Sequence, residues 1–345
     1  MVQNAKFPLL CLLLLAVLIA ALFWALSIGT VHLSSDVIAA ALLDQLRGDL
    51  PIEAPGQGPV HDIVWLLRLP RLLLAAIIGA GLAVCGVIMQ AIVKNPLADP
   101  YILGISAGAS LGATAAVLLG IGAALGENAI GIAAFLGAFA VSLGVLFIAN
   151  IGGRASAMKL LLGGMALSAV CSAFSSFIVY FANDKDGIQS ITYWLMGSFT
   201  GASYRKLLIG TPMILVGTAL IYLLRWQFNI LSLSEDEARA SGIHLKRMRI
   251  LLVLAITMIT ASSVSMCGQV GWVGLLIPHC ARMMTGSNNR LVIPMSISLG
   301  ASFLILIDTL SRTLTVIELP LSVLTAILGA PFFILLLKRS ERSFR

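Results

Sequence analysis

Long apolar runs separated by short polar breaks fill the chain, with candidate spans near residues 9–31, 72–93, 101–120, 130–150, 160–182, 207–224, 250–268, 271–285, 291–310 and 320–337. Roughly 20 apolar residues cross a bilayer as a helix. Closed barrels alternate instead of running solid, so the pattern predicts an all-α fold: one polytopic membrane domain, 1–345, with about ten transmembrane helices. The stretch 250–281 is uncharged throughout and too long for one span at about 1.5 Å per residue. A break is therefore predicted at Cys267-Gly268-Gln269, where glycine and a polar side chain permit a turn. The segment GIQSITYWLMGSFTGASY, 187–204, is uncharged but too polar for a span, and is read as an interfacial or re-entrant piece on the outside.

Composition supports a membrane class: 59% of residues are hydrophobic and 11% charged, against about a quarter charged in soluble domains. The net charge of +7 records topology here and not nucleic-acid binding. With ten spans and an inside N-terminus, Lys6, Lys94, Arg154, Lys159, Arg225, Arg239, Lys246, Arg247, Arg249, Arg282, Arg290, Lys338, Arg339, Arg342 and Arg345 all fall inside. That is most of the 22 basic residues, so both termini are expected in the cytoplasm. The run after Lys6 is longer than a signal-peptide core of roughly 7–15 residues, which predicts an uncleaved first span. Trp24, Trp65, Trp194, Trp226 and Trp272 lie near predicted span ends, as interfacial anchors do. Cys85-Gly86 lies ten residues before Pro96 and Cys267-Gly268 ten before Pro278. Five spans apart, the two copies would form an inverted repeat.

Few residues carry chemistry. The five cysteines form no ligand spacing, and His32, His61, His244 and His279 form no metal-binding pair, so no metal or cofactor is assigned. KNPLADP, 94–100, must turn because prolines resist helix interiors, and Asp99 suits an N-cap ahead of Pro100. GISAGASLG matches G-x-S-x-G at Gly104, Ser106 and Gly108, but a nucleophile elbow needs a strand-turn-helix setting. Gly104, Gly108 and Gly112 fit close helix packing better. An intramembrane serine hydrolase using Ser106 with His279 is the rival from another class. In 225–249, Ser234 and Glu237 form a capping box and Gly242 can end the helix; this is either a solvated connector or a handle for a soluble partner. The chain has no G-x-x-x-x-G-K-[ST] loop, so any ATPase is another subunit. Ionisable residues are scarce in the spans, which disfavours an ion-coupled carrier.

Taken in order, RLPRLLLAAIIGAGLAVCGVIMQ (68–90), KNPLADPYILGISAGA (94–109), YWLMGSF (193–199), SEDEARASGI (234–243), GQVGWVGLLIPHCAR (268–282) and ELPLSVLTAILGAPFFILLL (318–337) resemble the FecCD permeases. These are membrane subunits of type II ABC importers for iron chelates, haem and cobalamin. The resemblance implies a subunit without its own ATPase site or covalent chemistry, in the bacterial inner membrane. It implies a second permease copy or a sibling, two cytoplasmic ATP-binding subunits and an external substrate-binding protein. Cargo would be an iron siderophore or haem, with cobalamin or molybdate as alternatives. Asn95 and Leu97, with Ser156 and Ala157, match a cytoplasmic gate. Ser234, Glu235, Asp236, Glu237, Ala238, Arg239 and Gly242, within a loop at 232–245, match an ATPase-coupling helix. Arg68, Arg71 and Arg312 match positions that dock the binding protein.

Overall fold

The structure, a computed structural model, describes residues 2–29, 31–47, 58–120, 128–151, 156–231 and 244–343. Among these it is helical with no strand. We number the helices α1 (Val2–Ser27), α2 (Ser35–Arg47), α3 (Pro59–Val93), α4 (Ile105–Leu118), α5 (Ala129–Asn150), α6 (Ala157–Phe181) and α7 (Lys185–Met196). They continue as α8 (Tyr204–Leu223), α9 (Arg225–Leu231), α10 (Leu245–Cys267), α11 (Val273–Thr285), α12 (Asn289–Thr313) and α13 (Leu321–Ser343). Each predicted span coincides with a helix. α1, α3, α5, α6, α8, α10 and α12 are long and apolar enough to cross a membrane, whereas α4 and α11 are shorter.

α3 is the central post, packed on α8, α10, α11 and α12. Its approach to two neighbours is backbone to backbone. Gly79 meets Gly300 of α12, and Gly86 meets Gly274 of α11; a Cβ on any of Gly79, Gly86 or Gly300 would overlap the facing glycine. Such small-residue contacts give helices close packing where lipid offers no hydrophobic drive. α3 also begins earlier than its apolar run, at Pro59, and passes through a π-helical stretch at Asp62–Arg68 before Pro70. The charges of Arg68 and Arg71 suggested a later start, but both side chains are paired within the bundle.

The predicted break falls at Gly268, whose φ of 74° is open to glycine; its N–H bonds to Val264, ending α10. Residues 268–272 then run without helix until α11 starts at Val273. Contacts with α3 fix the depth of this run. Gly81 lies against Ile259 and Gly86 against Gly274, so at about 1.5 Å per residue the chain between Cys267 and Gly274 drops roughly 20 Å along the bundle. α11 thus begins in the interior.

Residues 187–204, read as an interfacial or re-entrant piece, fall on the twelve-residue helix α7 (Lys185–Met196), N-capped by Asp184 through the Gly187 N–H (2.9 Å), on a turn at Gly197 with φ 74° and on the first residue of α8. Two expectations change. The inverted repeat fails locally: Gly86 is helical and serves close packing, whereas Gly268 terminates a helix. Pro96 sits in a turn and Pro278 inside α11. Two tryptophans are not belt anchors. Trp65 is buried and donates from Nε1 to the Ala41 carbonyl (3.0 Å). Trp272 caps α11 at φ 71°, rare for a bulky residue, with its ring in a notch at Gly329, where a Cβ would lie 2.9 Å away.

Gly86→Val should force α3 from α11 and cost about 1–3 kcal/mol or more. Thermal unfolding in detergent checks this, with Gly271→Ala as control, since nothing lies within 4 Å of its added Cβ. Equal melting temperatures for both variants would refute the close-contact account.

Candidate functional site

At one end of the bundle α3 closes in a left-handed cap at Lys94 (φ 55°), and Asn95 Oδ1 accepts the Leu97 N–H (2.9 Å) while its carbonyl accepts from Ala98 (3.1 Å). This is an Asx-type turn. Its tip, Leu97, is 43% exposed, while Ala98 is buried. The chain then folds back into the bundle. Asp99 Oδ1 caps a 3-10 turn at Pro100–Leu103 by accepting the Tyr101 N–H (2.8 Å). Pro100 lies over Gly274.

Tyr101 ties this re-entrant turn to the one at 268–272. Its hydroxyl donates to the Val270 carbonyl (3.0 Å) and accepts the Val270 N–H (3.4 Å). Non-helical backbone is tolerated at membrane depth only when the protein satisfies it, and one phenol here satisfies both groups of a residue. Gln269 Nε2 adds a bond to the Ser106 carbonyl (3.4 Å).

Gln90 performs a similar task one helix over. Pro278 cannot donate to the carbonyl four residues back, Gly274. The Gln90 carboxamide, 3% exposed, points Nε2 at that oxygen (3.3 Å) and at Leu275 O (3.4 Å). Its own oxygen accepts from Arg282.

Ser156 is the N-cap of α6, accepting the Lys159 N–H (3.3 Å), and Ala157 is the first helical residue. They lie about 10 Å of helix from Gly164, where the Ile102 backbone packs. Of the glycine series, Gly104 takes φ 75° in the turn rather than in a helix, while Gly108 and Gly112 face Gly137 and Ala133 of α5. No hydrogen bond joins Ser106 to His279 among the described residues, and Ser106 lies in α4 rather than on a strand-turn-helix elbow. The proposed coupling residues Ser234 to Gly242 lie outside the described residues.

At the opposite end the structure brings Arg68, Arg71 and Arg312 together, turned inward. Arg68, 5% exposed, donates to the carbonyls of Leu26 and Val31, and Arg312 to that of Ala25. The two arginines thereby cap α1, whose last carbonyls have no helical partner. Arg71 bonds Asp308 on α12 (2.7 Å) and clasps Glu318 in fork geometry (2.8 and 2.9 Å). Those bonds hold the Glu318 carboxyl below the usual glutamate range, and Thr200 beyond α7 donates to it as well (2.8 Å). The Leu321 N–H reaches Gly197 O (3.0 Å) and the Ser198 N–H reaches Cys267 O (2.8 Å), stitching four connections into one cap.

The chain matches the FecCD transport family over residues 15–339. It belongs to that family. A Helicobacter pylori protein named probable iron chelatin transport system permease is 41% identical over 81% of this chain and 83% of its own. The vitamin B12 import permease BtuC of Salmonella arizonae is 39% identical over 92% and 95%. A solved structure described as an inward-facing metal-chelate type ABC transporter superposes with a TM-score of 0.84 at 33% identity, covering 96% of this chain and 99% of that one. This FecCD chain is accordingly a polytopic permease subunit of an ABC importer.

Tyr101, Gln90, Asp308 and Glu318 carry the polar structure of this FecCD chain, yet none was singled out as a site in the sequence. Asp308 alone gave a signal, as an ionisable residue near a span end. Tyr101→Phe keeps the ring and strands both backbone groups of Val270. The expected cost is about 1–3 kcal/mol, read as a lowered melting temperature in detergent; an unchanged value would mean the turn is held by other contacts.

Proposed function

We propose that this chain is the membrane pathway of an ATP-driven importer that carries a metal chelate, an iron siderophore or haem, inward by alternating access. The family match over residues 15–339 carries this reading, and the Helicobacter relative named for an iron chelate favours the cargo class. Cobalamin is the second reading, favoured by the Salmonella relative. Basic residues crowd the end that holds Lys94, which supports a reading with that end and both termini on the cytoplasmic side of the inner membrane. Hydrolysis belongs to two cytoplasmic ATP-binding subunits, received through Ser234 to Gly242. A second permease copy or a sibling completes the path.

Asn95 and Leu97 form the inner gate. The Asx turn stiffens the segment and leaves the Leu97 side chain free to constrict the path, and Ser156 and Ala157 belong to the same constriction in this reading. Outside, a substrate-binding protein docks over Arg71. Arg68 and Arg312 support that surface from beneath by holding the end of α1, and Arg312 also pairs with Asp308 (3.7 Å), so exchange of either would act through contacts within the chain. Arg71 is itself held by Asp308 and Glu318, so it serves docking through the surface it braces and not as an exposed ion pair.

Single cysteines at 95 and 97, in the complex with its ATP-binding subunit, should change maleimide labelling rate when nucleotide is added. Equal rates with and without nucleotide would reject the gate. Charge reversal at Glu235 and Glu237 should reduce recovery of the ATP-binding subunit on an affinity-tagged permease; full recovery would reject that docking site.

A further inference from the structure

Between Leu208 and Leu223, α8 turns an apolar face outward. Leu208, Ile209, Leu215, Val216 and Leu223 all stand exposed on it, the kind of surface that marks contact with lipid. At the end of the helix this face meets Tyr222, Arg225 and Trp226, all within one turn of Leu223. Aromatic and basic side chains suit such a boundary because each joins an apolar body to a polar tip.

Two guanidiniums lie over rings there. Arg225 sits over Tyr222, 4.1 Å from the ring centroid, and donates from Nη1 to the Tyr222 carbonyl (2.9 Å). Arg290, the second residue of α12, sits over Trp226, 3.5 Å from its centroid. Both are cation–π contacts. At 3.5 Å the Arg290 guanidinium can only lie flat on its ring, which leaves the N–H groups at its edge for another partner. Among the described residues neither arginine has a carboxylate within ion-pair reach. Trp226, 54% exposed, and Arg290 are both open to the surroundings. More positive charge gathers at the same level. Gly217 of α8 lies against Ile259 of α10 and Gly210 against Met266, so the two helices run antiparallel. Arg225 stands about 12 Å beyond Gly217, near Arg249 and about one turn from the exposed Lys246 and Arg247.

We propose that Arg225 and Arg290, with the rings they lie on, form a headgroup site for an anionic phospholipid. Phosphate oxygens meet the free guanidinium N–H groups, acyl chains follow Leu223 and the apolar face of α8, and Lys246 and Arg247 add attraction at longer range. The site goes beyond the importer reading and does not depend on it. Anchoring at the interface needs only a ring or a lone basic side chain. Here two guanidiniums are held in place on rings, unclaimed by any described acid, at the foot of an apolar face. A phosphodiester presents the pair of oxygens that the arginine fork fits. An acidic segment of a soluble partner would make no use of the lipid-facing surface beside it.

The test is native mass spectrometry of the full chain, freed of lipid by detergent exchange and titrated with phosphatidylglycerol or with phosphatidylethanolamine. The unaltered chain should bind phosphatidylglycerol in preference to phosphatidylethanolamine, and excess inorganic phosphate should not displace it. Arg225→Gln combined with Arg290→Gln should weaken phosphatidylglycerol binding about ten-fold or more, at roughly five-fold for each basic residue near an anionic membrane surface, and leave phosphatidylethanolamine binding unchanged. Arg290→Gln alone alters only an exposed side chain, so it should fold, and it should show a loss of about five-fold. Arg205→Gln, an exposed position at the other end of α8, should bind as the unaltered chain does. Equal phosphatidylglycerol binding with and without Arg290 overturns the site, as does its displacement by inorganic phosphate, which would mark a plain anion site. Unchanged lipid binding alongside loss of a co-purifying soluble subunit assigns the cluster to that partner and overturns the lipid site as well.

Discussion

Hydrocarbon offers no water to an unpaired peptide group, and residues 268–272 put non-helical backbone inside the bundle. Everything around that turn follows from the need to satisfy it. Tyr101 reaches it only because residues 95–104 fold back from the Lys94 end, and that re-entry is what shortens α4. The turn can lie there only because Gly86 and Gly274 let α3 and α11 touch backbone to backbone. Gln90 then repairs the bond that Pro278 removes from α11. A polar hydroxyl, a carboxamide and two glycines thus let two short helices start within the membrane.

The same economy operates at the end that holds Arg71. Three guanidiniums beside helix ends suggest a surface for an acidic partner, but Arg68 is taken up by the carbonyls of Leu26 and Val31, Arg312 by that of Ala25 with Asp308 beside it, and Arg71 by Asp308 and Glu318. Buried arginines need full pairing to be tolerated. The resulting cap ties α1, α3, α12 and the turns after α7 and α12 together, so a protein that docks there meets a single stiff platform. At the opposite end the constraints are lighter. Leu97 is exposed at the tip of its turn.

Hydropathy made the ten helices legible because each apolar run is long compared with the polar breaks between them. The break at Gly268 was legible for the same reason, since an uncharged stretch too long for one span contained a residue free to take positive φ. What was hidden depends on partners far apart in the chain. Tyr101 meets Val270 across 169 positions and Gln90 meets Gly274 across 184, and no local pattern marks either pair. Charge told that Arg68, Arg71 and Arg312 were placed at one end but not which way they point. The short spacing match of Cys-Gly with Pro lacked the helical context that a true repeat would share. Trp65 and Trp272 sat near span ends as belt residues do, yet burial and a left-handed cap set them apart.

The central claim is that this permease draws its energy from a separate subunit seated on its cytoplasmic face. Native mass spectrometry of the affinity-tagged chain, gently solubilised from its own membrane, tests it most directly. The account predicts one ATP-binding subunit for each permease copy. An intact permease that reproducibly emerges with no nucleotide-binding partner would contradict it.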